Sequence, residues 1–275
     1  STLVMDEINN LMGKNPLFKH HNYNQYMYVG YGGSCKFLRY NASIGLEGIW
    51  AKAGEVSYCY FRPRGNVSTT WVVNSHSSVR LSYRLTNTSP NVAYINPYNT
   101  STDSLLVSIG NPELKPQMTQ YASVSYTLNV GKLYLTPTVD YKYISDMIEN
   151  EGYSKGGVYY STYANTGHFA QTSAGTDLSY RFKWGRVYAG GGWKASYFTG
   201  QNAKNSAYAS FGFNAHVKDY SFYGDVDYNS RDYTALACTK YMRLSVANLQ
   251  VNYNITPDFY IGICLQHITG EYQSK

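Results

Sequence analysis

A few side chains in this sequence have types and spacings that could do chemistry. Asp225 and Asp227 stand two residues apart, so in a strand both carboxylates leave one face, as a general acid–base pair requires. His20 and His21 are adjacent and offer two imidazoles to a metal, but successive strand residues point to opposite faces. The remaining histidines, His76, His168, His216 and His267, are dispersed. The cysteines Cys35, Cys59, Cys238 and Cys264 form no CxxC and sit at no zinc spacing. They leave one disulfide open, with no pairing indicated. No GxSxG, HExxH or phosphate-binding loop occurs. The sequence therefore predicts no catalytic, cofactor-binding or metal-binding residue, and the chain does not read as an enzyme. Asp225 and Asp227 read instead as part of a charged wall facing Lys or Arg on a neighbouring strand. Arg62, Arg64, Arg80 and Arg84 share one parity on two successive segments and would face the same way, able to steer anionic solutes.

The elements that position these residues are strands. In one segment Leu38, Tyr40, Ala42, Ile44 and Leu46 alternate with Arg39, Asn41, Ser43, Gly45 and Glu47. The same period of two runs through Cys59 to Val73, Val79 to Leu85, Ala122 to Val130, Leu133 to Tyr143, Leu178 to Trp184, Tyr220 to Tyr228 and Phe259 to Leu265. Each run sets an apolar face against one of charge, amide or hydroxyl. The phase slips near Ala247, where Met242, Leu244 and Val246 give way to Leu249, Val251 and Tyr253; a β-bulge would do this. Pro63 and Pro137 fall inside strands and are expected at bulges or strand ends.

Composition fits a wall with one oily and one wet side. Of 275 residues 31 are Tyr, 15% are charged and 43% are hydrophobic. The mean hydropathy is −0.40. The net charge of +6 is spread singly along strands, so a nucleic-acid patch is not indicated. No apolar run approaches the roughly 20 residues of a membrane helix. Several alternating runs reach about ten residues, enough for a tilted strand to cross a bilayer, and about twelve or thirteen such strands can be drawn. Short turns near 32–36, 74–77, 129–132, 183–186, 217–219 and 255–258 alternate with longer polar loops near 48–55, 89–116, 150–157, 199–205 and 229–240, a membrane-barrel rhythm. Tyr40, Trp50, Tyr58, Trp71, Trp184, Trp193, Tyr197 and Tyr253 lie near strand ends and suit headgroup girdles. The fold class is thus all-β, an antiparallel transmembrane β-barrel wall in contact with outer-membrane lipid.

Two regions carry a family likeness. The run Gln25-Tyr26-Met27-Tyr28-Val29-Gly30-Tyr31, followed by a strand ending Gly45-Leu46-Glu47, resembles the "iYaaY … GLR-E" hairpin of the C-terminal barrel in TonB-dependent outer-membrane receptors, in the branch common in Bacteroidota. Leu81-Ser82-Tyr83-Arg84, Ile95-Asn96-Pro97-Tyr98 and Gly110-Asn111-Pro112-Glu113-Leu114-Lys115-Pro116 resemble its "lsYsrR", "LNPf" and "GNPxLkPE" motifs. The Arg before the Glu is absent at Leu46-Glu47, and Gln117 replaces the last Glu. Pro112 and Pro116 lack backbone donors and hold the preceding residues extended, so the motif reads as punctuation, with no ligand contact of its own.

The resemblance implies a partial barrel domain over 1–275, a fragment of a barrel of about 22 strands, with the plug domain absent from this chain. It implies residence in the cell outer membrane, import of a scarce siderophore, oligosaccharide or peptide, and a plug domain and TonB as partners. The inward arginines would then pair with the plug. The competing readings are a plug-less porin-like barrel or surface-binding outer-membrane protein, and, lowest, a barrel hydrolase, for which no nucleophile–base pair is visible.

Overall fold

The computed structural model describes residues 20–53, 56–232, 240–256 and 259–274. The strands are β1 (His20–Ser34), β2 (Leu38–Ala53), β3 (Val56–Asn74), β4 (Ser77–Thr88), β5 (Leu106–Ser108), β6 (Gln117–Val130) and β7 (Leu133–Lys155). They continue with β8 (Val158–Arg181), β9 (Gly185–Phe198), β10 (Lys204–Val217), β11 (Tyr220–Asp232), β12 (Lys240–Thr256) and β13 (Phe259–Ser274). A single helical turn, α1 (Val92–Ile95), precedes β5. All strands belong to one sheet in the order β1-β2-β3-β4-β6-β7-β8-β9-β10-β11-β12-β13, a meander in which each pairs antiparallel with its sequence neighbour. Only β5 leaves this path, pairing in parallel with β8. Among the described residues β1 and β13 each have one neighbour, so the sheet has two open rims.

Register fixes the faces. Leu128, Leu135, Leu178, Ala189, Phe211, Val226 and Ala247 stand opposite one another in turn across β6 to β12. A one-residue slip anywhere would turn a whole strand inside out. Among the described residues no second layer covers this apolar face: Val67, Leu81, Val124, Val139, Phe211, Val226 and Ile263 are all exposed. In water a continuous oily surface of this extent would drive aggregation; lipid is the solvent it suits. Two aromatic rows bound the band. Tyr40 and Trp71 lie near the tight turns, and Trp50 and Phe61 near the other end, with Trp50 and Phe61 edge-on at 5.7 Å. About ten residues separate the rows on each strand, roughly 33 Å of chain, or about 25 Å once tilted by about 40°. That matches the apolar band of an outer-membrane barrel.

Several expectations change. The polar segments 48–55 and 150–157 are not loops: β2, β3, β7 and β8 run through them as hairpins, leaving only residues 54–55 outside the description. Beyond the bilayer a strand pair needs no apolar face, so its composition imitates a loop. There is no bulge at Ala247; the pairing from Tyr220↔Tyr253 to Asn229↔Leu244 is continuous, and Val246 faces the inner side opposite Asp227. Register shifts lie elsewhere: near strand ends at Val72/Asn74, Asn229/Asp232 and Asn254/Thr256, and within the β7–β8 ladder between Ile144 and Glu149, where Asp146 takes a φ of 54°. Pro137 is neither at a bulge nor at a strand end. It pairs with Thr176 on β8, and the β6 ladder skips two positions there without changing register, as a missing donor requires. Pro63 sits where β4 has stopped pairing with β3, so its missing N–H faces no ladder.

The small dry core lies at the crown. β4 and β6 end at Thr88 and Gln117, while β3 and the β7–β8 hairpin extend further. The 89–116 connection occupies this notch. It packs Ile95 and Leu114 on Ile148, with Tyr94 and Tyr163 alongside, and Val107 on Val158. It then adds β5 to β8 beyond the point where β9 ends. Ile144, Met147, Phe169 and Phe198 form a third cluster beside it.

Candidate functional site: the inner wall and its strap

The 89–116 strap is built from its asparagines. Asn91 caps α1 by accepting from the Ala93 N–H at 2.9 Å. Asn99 Oδ1 accepts from Ser101 and Ser108 N–H. The two Asn-Pro motifs meet: Gly110 N–H donates to the Asn96 carbonyl and Asn111 N–H to the Tyr94 carbonyl, both at 2.7 Å. Gly110 must be glycine, because a Cβ would lie 2.5 Å from the Tyr94 carbonyl oxygen and 2.7 Å from two backbone atoms of Asn96. Asn111 Nδ2 donates to the Tyr163 carbonyl, and Asn165 Oδ1 accepts from Lys115 N–H. The motif thus ties the strap to β8. Its backbone and asparagine groups are bonded within the chain, as in a structural turn.

Below the strap the inner wall divides in two. On β2–β4 it is cationic. Arg62, Arg64, Arg80 and Arg84 all face inward, as the parity predicts, and two of them are paired. Arg64 lies 3.5 Å from Glu47 and Arg62 lies 3.1 Å from Asp146. Glu47 is only 4% exposed; it also accepts from Asn87 Nδ2, which reaches the Pro63 carbonyl at 3.0 Å as well. Asn87 thereby stands in for the strand pairing β3 loses above β4. Arg80 and Arg84 have no carboxylate at ion-pair distance among the described residues.

On β8–β11 the wall is floored by glycine and roofed by tyrosine. The Tyr188 ring covers Gly212, and the Tyr208 hydroxyl reaches over Gly175 and Gly192. Asp177 and Ser210 converge over Gly190, where a Cβ would meet them at 2.5 and 2.9 Å. Lys194 stands 5.0 Å from the Tyr208 ring centroid. Asp140 accepts from Tyr121 at 2.6 Å and from Ser173 at 3.3 Å. Small residues below and phenols above give a smooth hydroxyl-rich surface with carboxylates set into it.

The predicted chemistry-bearing residues separate. Asp225 and Asp227 do share the inner face, but their cross-strand neighbours are Gly212 and Asn248, and Ser210 and Val246. The expected Lys or Arg is not opposite either one. Asp225 accepts from Asn248 at 2.8 Å, because register, not charge, chose its partner. Among the described residues no group of three or more His, Cys, Asp or Glu could hold a metal. His216 Nδ1 bonds Ser221 Oγ, and His168 lies beside Thr199; the side chain of His20 lies outside the described residues. Cys35, Cys59 and Cys264 are free and exposed, and Cys238 lies outside the described residues. Tyr58 departs from the girdle: it faces inward with Tyr60 at 5.1 Å. Sequence reasoning missed Glu47 and the tyrosine-on-glycine wall. The run Gly190-Gly191-Gly192 inside a strand was the available signal, since glycine there marks a close approach.

Comparison with known proteins agrees with this architecture. A family model described as the outer membrane protein beta-barrel family matches residues 52–256. No curated protein matches the sequence. Among solved structures, the copper transporter OprC superposes with a TM-score of 0.69 at 13% identity, over 90% of this chain and 42% of that one. The FrpB iron transporter from Neisseria meningitidis (F5-1 variant) gives 0.65 at 9% identity, over 98% and 49%. The structure of the FpvAI–pyocin S2 complex gives 0.61 at 12% identity, over 90% and 35%. The chain spans less than half the length of each. With its outward oily band, its two girdles and its wet inner wall, this chain belongs to the outer membrane protein beta-barrel family and resides in the cell outer membrane.

Proposed function

We propose that this chain is part of the barrel wall of a TonB-dependent receptor that imports a scarce ligand, a siderophore, oligosaccharide or peptide, across the outer membrane. The observation that carries the reading is the inner wall: Arg80 and Arg84 face the lumen with no carboxylate partner in the described chain. Cations on a wet wall either line an open pore or meet another domain. The motifs at 95–98 and 110–116, which resemble those of TonB-dependent receptors of the Bacteroidota type, favour the second. The fold likeness to transporters named for copper and iron supports transport without naming the cargo. In this reading a plug fills the lumen, pairs with the free arginines and is moved by TonB, and the wall performs no bond chemistry.

The test is liposome swelling with the complete protein. A plugged receptor admits small sugars slowly, and Arg80→Glu with Arg84→Glu speeds their entry by loosening the plug. Fast swelling by the unaltered protein, unchanged in that variant, would replace this reading with the open porin-like barrel.

A further inference from the structure

The lipid side of the wall carries a site that import does not use. Along the outward-facing positions of β1, β2 and β3, Lys52 is the one fixed charge among the described residues; the others are aromatic, aliphatic, small or neutral polar. Lys52 is in register with His21 on β1 and Ser57 on β3. These three line a recess of about 780 Å³ together with Tyr23 and Trp50. Directly beneath, Trp50 and Phe61 join Met27, Ile44 and Leu46 around a second, apolar recess of about 350 Å³. Trp50 is the shared wall. It lies flat over Gly48, where any Cβ would run into its ring, and is braced by Tyr23 at 5.9 Å and Phe61 at 5.7 Å. The row sits on the strap side of the band, at the height of the upper girdle.

We propose that these two recesses form one binding site for a phosphate-bearing lipid of the outer leaflet. The phosphate would sit at Lys52, with the His21 ring and the Ser57 hydroxyl as further donors, and an acyl chain would run down past Trp50 along Leu46, Met27 and Phe61. Charge complementarity selects this occupant: among the described residues of β1, β2 and β3 no carboxylate shares the face, so the recess favours an anion. A lone lysine at a membrane interface merely reaches for water. Here the cation stands over an aromatic shelf whose other side is an acyl-sized groove, so head and tail are read together. The inference needs only the outer-membrane setting and is independent of import.

The experiment is native mass spectrometry of the complete protein carrying this chain, in detergent, titrated with bis-phosphorylated lipid A. The expected result is one retained lipid A, bound at least fivefold more tightly than lipid A stripped of its phosphates. Lys52→Glu should weaken binding at least fivefold, Lys52→Arg should retain it, and Phe61→Ser should weaken it with the charge intact. Lys52 is exposed, so its variants should melt like the parent; Lys52→Gln is a milder second version. Equal binding of both lipids, or undiminished binding by Lys52→Glu, would overturn the proposal. So would displacement of lipid A by millimolar inorganic phosphate, which would mark a phosphate site with no lipid character.

Discussion

The two halves of the inner wall solve one problem in different ways. Both must present a polar surface to a wet lumen from the back of an oily sheet. The β2–β4 half does so with long side chains that pair laterally, Arg64 with Glu47 and Arg62 with Asp146. The β8–β11 half drops the side chain at Gly175, Gly190, Gly192 and Gly212 and lays Tyr188 and Tyr208 across the resulting floor. The first is held by charge and tolerates changes of volume. The second is held by shape and tolerates changes of charge.

This contrast can be broken most severely at a floor glycine. Gly192→Ala would place a Cβ 2.5 Å from the Ala174 carbonyl oxygen and 2.7 Å from the Gly175 Cα. Backbone cannot step aside, so a loss of about 3 kcal/mol or more is expected in urea unfolding from detergent. Adding Tyr208→Ala should not restore it. Gly212→Ala sharpens the point, since the three atoms nearest that space all belong to the Tyr188 side chain; its cost of about 1–3 kcal/mol should largely disappear in the Tyr188→Ala background. In the other half, Glu47→Ala removes a nearly buried acceptor from Arg64 and Asn87 and should cost about 2 kcal/mol. Asp146→Asn opens a partly exposed pair and should cost about 0.5–1 kcal/mol. Arg80→Gln with Arg84→Gln should alter stability by no more than about 0.5 kcal/mol while changing solute entry. If the arginine pair proved the costlier loss and Gly192→Ala the cheaper, the division between charge-held and shape-held walls would fail.

The faces of the sheet were legible in the sequence because a strand's period is two and lipid tolerates few exceptions. Alternation from Leu38 to Leu46 and from Ala122 to Val130 reads off which residues meet the bilayer. Above the bilayer that constraint lapses. There 150–157 looked like a loop and is a hairpin, because polar residues on both faces carry no period. Tyr58 looked like a girdle residue for a related reason: position near a strand end is visible, but the side it faces depends on register. The partners of Asp225 and Glu47 were hidden for the same cause, since pairing across strands is set by turn lengths and bulges far from either residue. The Asn-Pro motifs could be found as turns, but their mutual hydrogen bonds join residues brought together only when the strap folds back on itself.

The open rims of β1 and β13 bear on how this polypeptide behaves by itself. Among the described residues, each rim presents a column of amide and carbonyl groups with no strand partner beside exposed aromatic and aliphatic side chains, from Tyr23 to Tyr31 and from Phe259 to Ile268. Nothing in hydrocarbon can satisfy those groups except another strand. Taken alone, the chain should zip rim to rim with its own copies and grow into ribbons.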